Sequence, residues 1–145
     1  MNVPNLRSPH LKTSGIVYFA RMADKIRLHS VNQLPEEYQA NLGGGFDGFC
    51  CQFLWIDYPA LVARVKEGGT DEEILAWAFQ RGHRPNEQDI LVWNEFMRKR
   101  GWNDEASSRL AQRKVESGFP ERDDIVTFFD YIDMDEGRDP AQKAS

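Results

Sequence analysis

The stretch ARMADKIRLH, Ala20 to His29, decides the fold. Four of its ten residues are charged and three of those are cations, yet its apolar residues recur at helical spacing. At about 100° per residue, Tyr18, Phe19, Met22, Ala23 and Ile26 share one face, the core stripe of an amphipathic helix. Arg21, Asp24 and Leu28 point the other way, and Lys25 and Arg27 sit on the shoulders of the stripe. Asp24 lies three residues from both Arg21 and Arg27 and can bridge them, each such pair being worth only about 0.2–0.5 kcal/mol on a wet face. One carboxylate does not neutralise three cations, and Leu28 among them predicts that this face is covered. Covered cations need partners, because an unpaired buried charge is costly. Two sources offer themselves: the chain's own acidic stretch from Asp130 to Glu136, or an anionic ligand gripped by guanidinium forks.

Upstream, residues 1–12 read as an irregular arm interrupted by Pro4 and Pro9. Thr13 or Ser14 can cap the charged helix, although GIVYF is rich in β-formers and its start can be extended instead. Downstream, LPEEYQ suits a helical turn, NLGGGFDG a loop, and DGFCCQFLW a short apolar helix that Asp47 can cap. Asp57 caps YPALVARVKEG, which Gly68 and Gly69 end. TDEEILAWAFQRG and NEQDILVWNEFMRKRG echo each other, with a capping residue four positions before Ile-Leu-x-Trp in each. Thr70 with Glu73 matches a capping box, and Asn86 with Asp89 a weaker form of it. Two copies are too few for a solenoid, so these are a pair of amphipathic helices. Asn103 is placed to cap DEASSRLAQRKVES, and ERDDIVTFFDYIDMDEG reads as a last helix with Asp123 and Asp124 in its first turn. The expectation is an all-α fold: one compact domain over residues 1–145, of about six or seven short amphipathic helices, ending in a loose tail over 139–145.

Bulk properties narrow the function classes. A length of 145 residues suits one core, and 41% hydrophobic content is ordinary for a globular chain. No apolar run approaches the roughly 18 residues of a membrane span, and the polar start resembles no signal peptide. Cys50 and Cys51 are adjacent, too close for an unstrained disulfide, so reduced thiols and a cytoplasmic location are expected. The net charge of −5 is unevenly spread, with eight Lys/Arg against five Asp/Glu between Arg81 and Lys114, and two against eight between Phe119 and Asp139. Lack of one dominant basic face argues against nucleic acid.

Catalytic and metal motifs fail on context. GGGFDG fits G-x-G-x-x-G without the strand that a dinucleotide loop requires. YIDMDEGRD starts like a calcium loop but places Gly137 one position early and lacks the closing Glu. His10, His29 and His83 are far apart, so no metal is expected, and no cofactor motif is present. Cys50 lies among Phe49, Phe53 and Leu54, the setting of an inert buried thiol, and Ser107-Ser108 have no identifiable base. The four tryptophans read as core, with Trp102 the one most open to solvent.

RMADKIRLH, LPEEYQANLGGGFDGF, GGTDEEILAWAF, RKRGWNDE and RDDIVTFFDYIDMDEGR together resemble a family of small bacterial proteins, domain of unknown function 5069, over nearly the whole chain. The resemblance implies a bacterial, cytosolic protein and no mechanism. It singles out the matched positions Arg21, Asp24, Lys25, Arg27, Tyr38 and Asp47. With these positions, a polar pocket is expected between the Arg21–Arg27 helix, Tyr38 and the Gly43–Asp47 loop, belonging to a non-catalytic binding module for an anionic small molecule or an acidic partner segment. The alternative is an enzyme acting on a phosphorylated or carboxylated metabolite, with Lys25 or Asp24 as acid–base and Arg21 and Arg27 holding the anion. Ion pairing of the cluster to the acidic last helix is the purely structural reading beside both.

Overall fold

A short hairpin feeds the charged stretch into a helix, and that helix becomes the centre of the molecule. The structure, a computed structural model, describes residues 1–144, so Ser145 of the expected tail lies outside the described residues. Strands β1 (Lys12–Thr13) and β2 (Ile16–Val17) pair antiparallel, Thr13 opposite Ile16. Ser14 and Gly15 between them both have positive φ, 49° and 84°, the combination that a two-residue turn matched to strand twist demands. The helix therefore starts at Phe19, later than a Thr13 or Ser14 cap would place it, and α1 spans Phe19–Ser30. Its expected core stripe is fully buried: Phe19, Met22 and Ala23 are inaccessible and Ile26 nearly so.

Seven further helices follow: α2 (Glu36–Gln39), α3 (Gly45–Leu54), α4 (Tyr58–Lys66), α5 (Asp71–Arg81), α6 (Glu87–Lys99), α7 (Ser107–Glu116) and α8 (Phe128–Asp135), then a 3-10 turn over Pro140–Ala144. Eight α-helices among the described residues slightly exceed the expected six or seven, and α2 is a single turn. The fold is mostly helical with one small sheet, so all-α holds as the class and not to the last residue. α1 packs on α4 and α5, α6 on β2 and α8, and α7 on α8. Leu54, Leu61, Ile74, Leu75, Met97 and Phe129 complete the main core around α1. Fully burying one such side chain contributes about 1.5–3 kcal/mol. A second, small cluster fastens the N-terminal arm, with Val3 and Leu6 packed on Leu28 and Leu34. Leu28 is thus covered, by the chain's own arm.

Local chemistry sets the helix ends. Asp57 accepts from Ala60 N, and both Thr70/Glu73 and Asn86/Asp89 form complete reciprocal capping boxes. Two starts differ from expectation. Asn103 adopts a left-handed conformation outside α7, and it is Asp104 that accepts from Gly101 N and Ala106 N ahead of the helix. The DDIV segment is not helical, because buried Lys114 donates to the carbonyls of Arg122 and Ile125 and holds that loop. α8 starts only at Phe128, capped by Thr127. No helix among the described residues is long and apolar enough to cross a membrane.

Candidate functional site

α1 carries its charges into two separate places. Toward α5 and the arm, Asp24 accepts from Arg27 at 3.2 Å and from the Arg7 guanidinium at 2.8 and 2.9 Å. Asp71, at the start of α5, pairs with the same two arginines. Asp24 therefore bridges two guanidiniums, but they are those of Arg7 and Arg27, and Arg21 is not one of them. Arg7 sits in an irregular segment where no periodicity marks it.

On the other side of α1, Arg21, Lys25, Tyr38 and Asp47 come together. Arg21 grips Glu136 with both terminal nitrogens, at 2.8 and 2.7 Å, and donates to the Arg7 carbonyl. The internal partner for the charged helix is thus the end of the acidic α8. Glu136 also accepts from the Tyr38 hydroxyl at 2.9 Å and from Arg138. Lys25 Nζ lies 2.9 Å from Asp47 Oδ1. Asp47 is not the cap expected of it. It lies inside the first turn of α3, fully buried, accepting from Tyr18 Oη at 2.6 Å and from Gly43 N at 3.1 Å. Tyr18 is held at φ 77°, a left-handed conformation costly for a bulky side chain and one that clusters at functional sites.

Burial decides the protonation of this group. It pushes the Lys25 amine below its ordinary value, against the pull of Asp47, while the like charge of Arg21 lowers it further. Burial raises the Tyr18 phenol well above its usual range, and the Asp47 carboxylate adds to that. Burial alone would raise Glu136, but the hydrogen bonds and charge of Arg21, with Tyr38 and Arg138 donating, bring its carboxyl below the ordinary value. Its folded pKa is depressed, so its contribution to stability is complete above the unfolded value of about 4.5 and is lost as pH falls through the folded one. Chemical unfolding measured from pH 7 downward should show stability falling below about pH 4.5, with that part of the slope flattened in Glu136→Gln.

Arg21, Glu136 and Lys25 open onto a cleft of about 460 Å³ between α1, the α2–α3 region, α7 and α8, which the fully buried Asp47 does not line. Tyr18, Arg21, Lys25, Tyr38, Gly44 and Gly45 line it on one side, which is the place expected for the pocket. Asp24 and Arg27 do not reach it. The opposite wall has no counterpart in the sequence-based expectation: Arg100, Arg109 and Arg113, with Phe46, Phe49, Phe128 and Tyr131 between the charged groups. Arg109 and Arg113 are four apart on a helix of high polarity, a spacing that reads as solvated surface until α8 and α3 are placed beside it. Five cationic and three anionic side chains line the cleft. Arg21 is neutralised by Glu136, and Lys25 by Asp47 from behind the cleft wall, which leaves Arg100, Arg109 and Arg113 in the lining with Glu37 and Asp135. Arg100 is 3.6 Å from Asp104, Arg113 is 4.0 Å from Glu116, and Arg109 has no ion-pair partner among the described residues.

Elsewhere, Cys50 and Cys51 are free and buried, and burial raises both thiols, Cys51 to about 12, which leaves them unreactive. His10, Asp130 and Asp133 lie close enough together to hold a metal ion, but Asp133 is already held by Ser8 and Arg138, and His10 by Asp130. A search of curated proteins returned no match. Among protein families, residues 3–138 match one described as a domain of unknown function (DUF5069). With nearly its whole length covered by that match, the chain belongs to the DUF5069 family.

Proposed function

We propose that the protein is a non-catalytic binding domain whose cleft takes an anionic small molecule with a flat apolar body. The observation that carries this reading is the wall of Arg100, Arg109 and Arg113, in which Arg109 has no ion-pair partner among the described residues and the other two are only loosely paired, at 3.6 and 4.0 Å. Those arginines receive the anion, as forked donors suited to phosphate or carboxylate. Phe46, Phe49, Phe128 and Tyr131 receive the apolar body. The paired Arg21–Glu136 and Lys25–Asp47 groups form a neutral, hydrogen-bonding end that orients it. The volume lies within the range of about 300–1,000 Å³ usual for small-molecule sites, which favours this occupant over an acidic protein segment. A bacterial cytoplasmic setting without nucleic-acid partners belongs to the same proposal, supported by the free thiols and the mixed charge of the cleft.

The test is a thermal-shift and calorimetric series with phenyl phosphate, benzoate, adenosine monophosphate and inorganic phosphate. A ligand at about 100 times its Kd stabilises by about 2.7 kcal/mol, a rise in Tm of roughly 5–10 °C for a chain of this size. The rise should vanish in Arg109→Glu/Arg113→Glu and persist in Arg27→Ala, which alters only the other face of α1. No shift with any probe, or a shift indifferent to the α7 charge reversal, would end this reading.

One observation favours a second reading, an enzyme using Lys25 as base or imine-forming amine: its lowered pKa beside the strained Tyr18 at the cleft wall. Borohydride reduction in the presence of pyridoxal phosphate or pyruvate, followed by mass spectrometry, distinguishes it. A reduced adduct on Lys25 supports the enzyme, and an unmodified Lys25 leaves the binding domain.

A further inference from the structure

α6 is apolar on both sides. Its inner face buries Trp93 and Met97. Its outer face presents Leu91, Val92 and Phe96, continued beyond the helix end by Trp102, and these four side chains are 60%, 62%, 43% and 54% exposed. With Glu95, Lys99 and Asp104 they line a shallow groove of about 470 Å³. On a helix that already buries one apolar face, a contiguous exposed apolar patch of this kind marks a contact surface.

The order of residues along the groove identifies the cover. Glu95 and Lys99 stand two positions either side of residue 97, and Val92 and Trp102 five positions either side. A two-fold axis at that height, perpendicular to α6, sets the helix antiparallel to a copy of itself. It brings Glu95 opposite the partner's Lys99, with Phe96 near the axis and Val92 toward the end of the groove where the partner's Trp102 lies beyond its helix. Such a surface is complementary to itself, as an isologous contact requires. We propose that this face is the interface of a homodimer, in which a second copy of the chain packs its α6 antiparallel on the first.

Glu95 sits 2.8 Å from Arg98 and 3.5 Å from Lys99 on its own helix. Exposed pairs of this kind contribute little, so exchanging Lys99 for the partner's Lys99 is nearly free while four large side chains per copy leave water. A contact made by one helix face with four large side chains per copy points to a dimer in exchange with monomer at micromolar concentration. Phe96 touches Phe49 edge-on and carries the Arg100 guanidinium over its ring, so the interface adjoins the cationic wall of the cleft.

Sedimentation equilibrium of the full chain, from about 1 µM to about 500 µM, tests the proposal. Wild type should be a concentration-dependent dimer, and Val92→Glu should be monomeric throughout. Glu95→Lys and Lys99→Glu should each weaken association by about tenfold or more, because the dyad counts every like-charge clash twice. The double variant Glu95→Lys/Lys99→Glu should recover to within about threefold of wild type. All these side chains are exposed, so the monomeric variants keep their far-ultraviolet spectra, and recovery in the double variant is something unfolding does not imitate. A wild type that stays monomeric, a dimer unaffected by Val92→Glu, or a double variant no better than either single one would overturn the proposal.

Discussion

Asp47→Ala should cost about 3–5 kcal/mol of stability, a fall in Tm of roughly 10–20 °C, the largest effect of any polar substitution in the molecule. The reason is what remains after the carboxylate has gone. Lys25 keeps an ammonium with a side chain only 8% exposed and no other salt bridge among the described residues, the more distant Glu136 being held by Arg21. The Tyr18 hydroxyl and Gly43 N–H lose their acceptor, and each unsatisfied buried donor costs about 1–3 kcal/mol. The charge penalty has a ceiling, because Lys25 can release its proton. For an amine of ordinary pKa near 10.4 that release at pH 7 costs about 4.6 kcal/mol, so the total does not run to tens of kcal/mol. Lys25→Met is the milder change, since Asp47 then keeps two hydrogen bonds. The pair Asp47→Asn/Lys25→Met should recover at least half of the loss, as replacing a buried ion pair by groups of similar volume often does. Urea unfolding at pH 7 measures all three. A loss below about 1 kcal/mol for Asp47→Ala would mean that water reaches Lys25 and that this cluster does not hold α1 to α3.

The parts of the fold written in local code were legible. The core stripe of α1 follows from spacing alone, and the caps of α4, α5 and α6 from the residue types at their starts. What was not legible depends on distant partners. Lys114 and the DDIV loop are eight or more residues apart, and only the folded chain shows that a buried ammonium takes the carbonyls a helix would have used. The hairpin ahead of α1 had a signal, the Ser-Gly pair between short β-forming runs, but two-residue strands give too little alternation to compete with the helical pattern behind them.

The candidate site divides along the same line. That α1 would present cations needing partners followed from charge counting against one carboxylate, and the pairing of Arg21 with Glu136 fits the acidic end of the chain. The division of the set did not follow: Asp24 and Arg27 turn toward Arg7 and Asp71, whereas Arg21, Lys25 and Tyr38 face the cleft and Asp47 lies buried behind Lys25. Residues one helical turn apart on a shoulder look alike in sequence, and the position of the arm decides which of them meets it. The division also alters the chemistry of the proposed site. Because α1's cations are neutralised within the protein, anion recognition in the proposed site would pass to Arg100, Arg109 and Arg113, with α1 supplying shape and hydrogen bonds.

Gly82→Ala should be the most damaging glycine substitution, with a loss of about 3 kcal/mol or more. Gly82 ends α5 against the end of α3, and a Cβ there would stand 1.9 Å from the Leu54 carbonyl oxygen and 2.7 Å from that of Trp55. Both obstacles are backbone, so no rotamer change relieves them. His83 fixes the approach, its N–H donating to Leu54 O, its ring hydrogen-bonding with the Phe53 carbonyl oxygen and stacking on Trp55 at 3.9 Å. Accommodating a methyl group means withdrawing α5 from α3, which would break these contacts and loosen Ile74, Leu75 and Ala78 from the core. Gly118→Ala provides the contrast: its φ is +90°, yet an added Cβ meets nothing within 4 Å, so the loss is only the strain of a Cβ-bearing residue in a left-handed conformation, about 1–2 kcal/mol. Thermal unfolding of the two variants side by side separates close packing from backbone strain. Equal losses would mean that the α3–α5 junction yields by more than an ångström, and that His83 does not pin it.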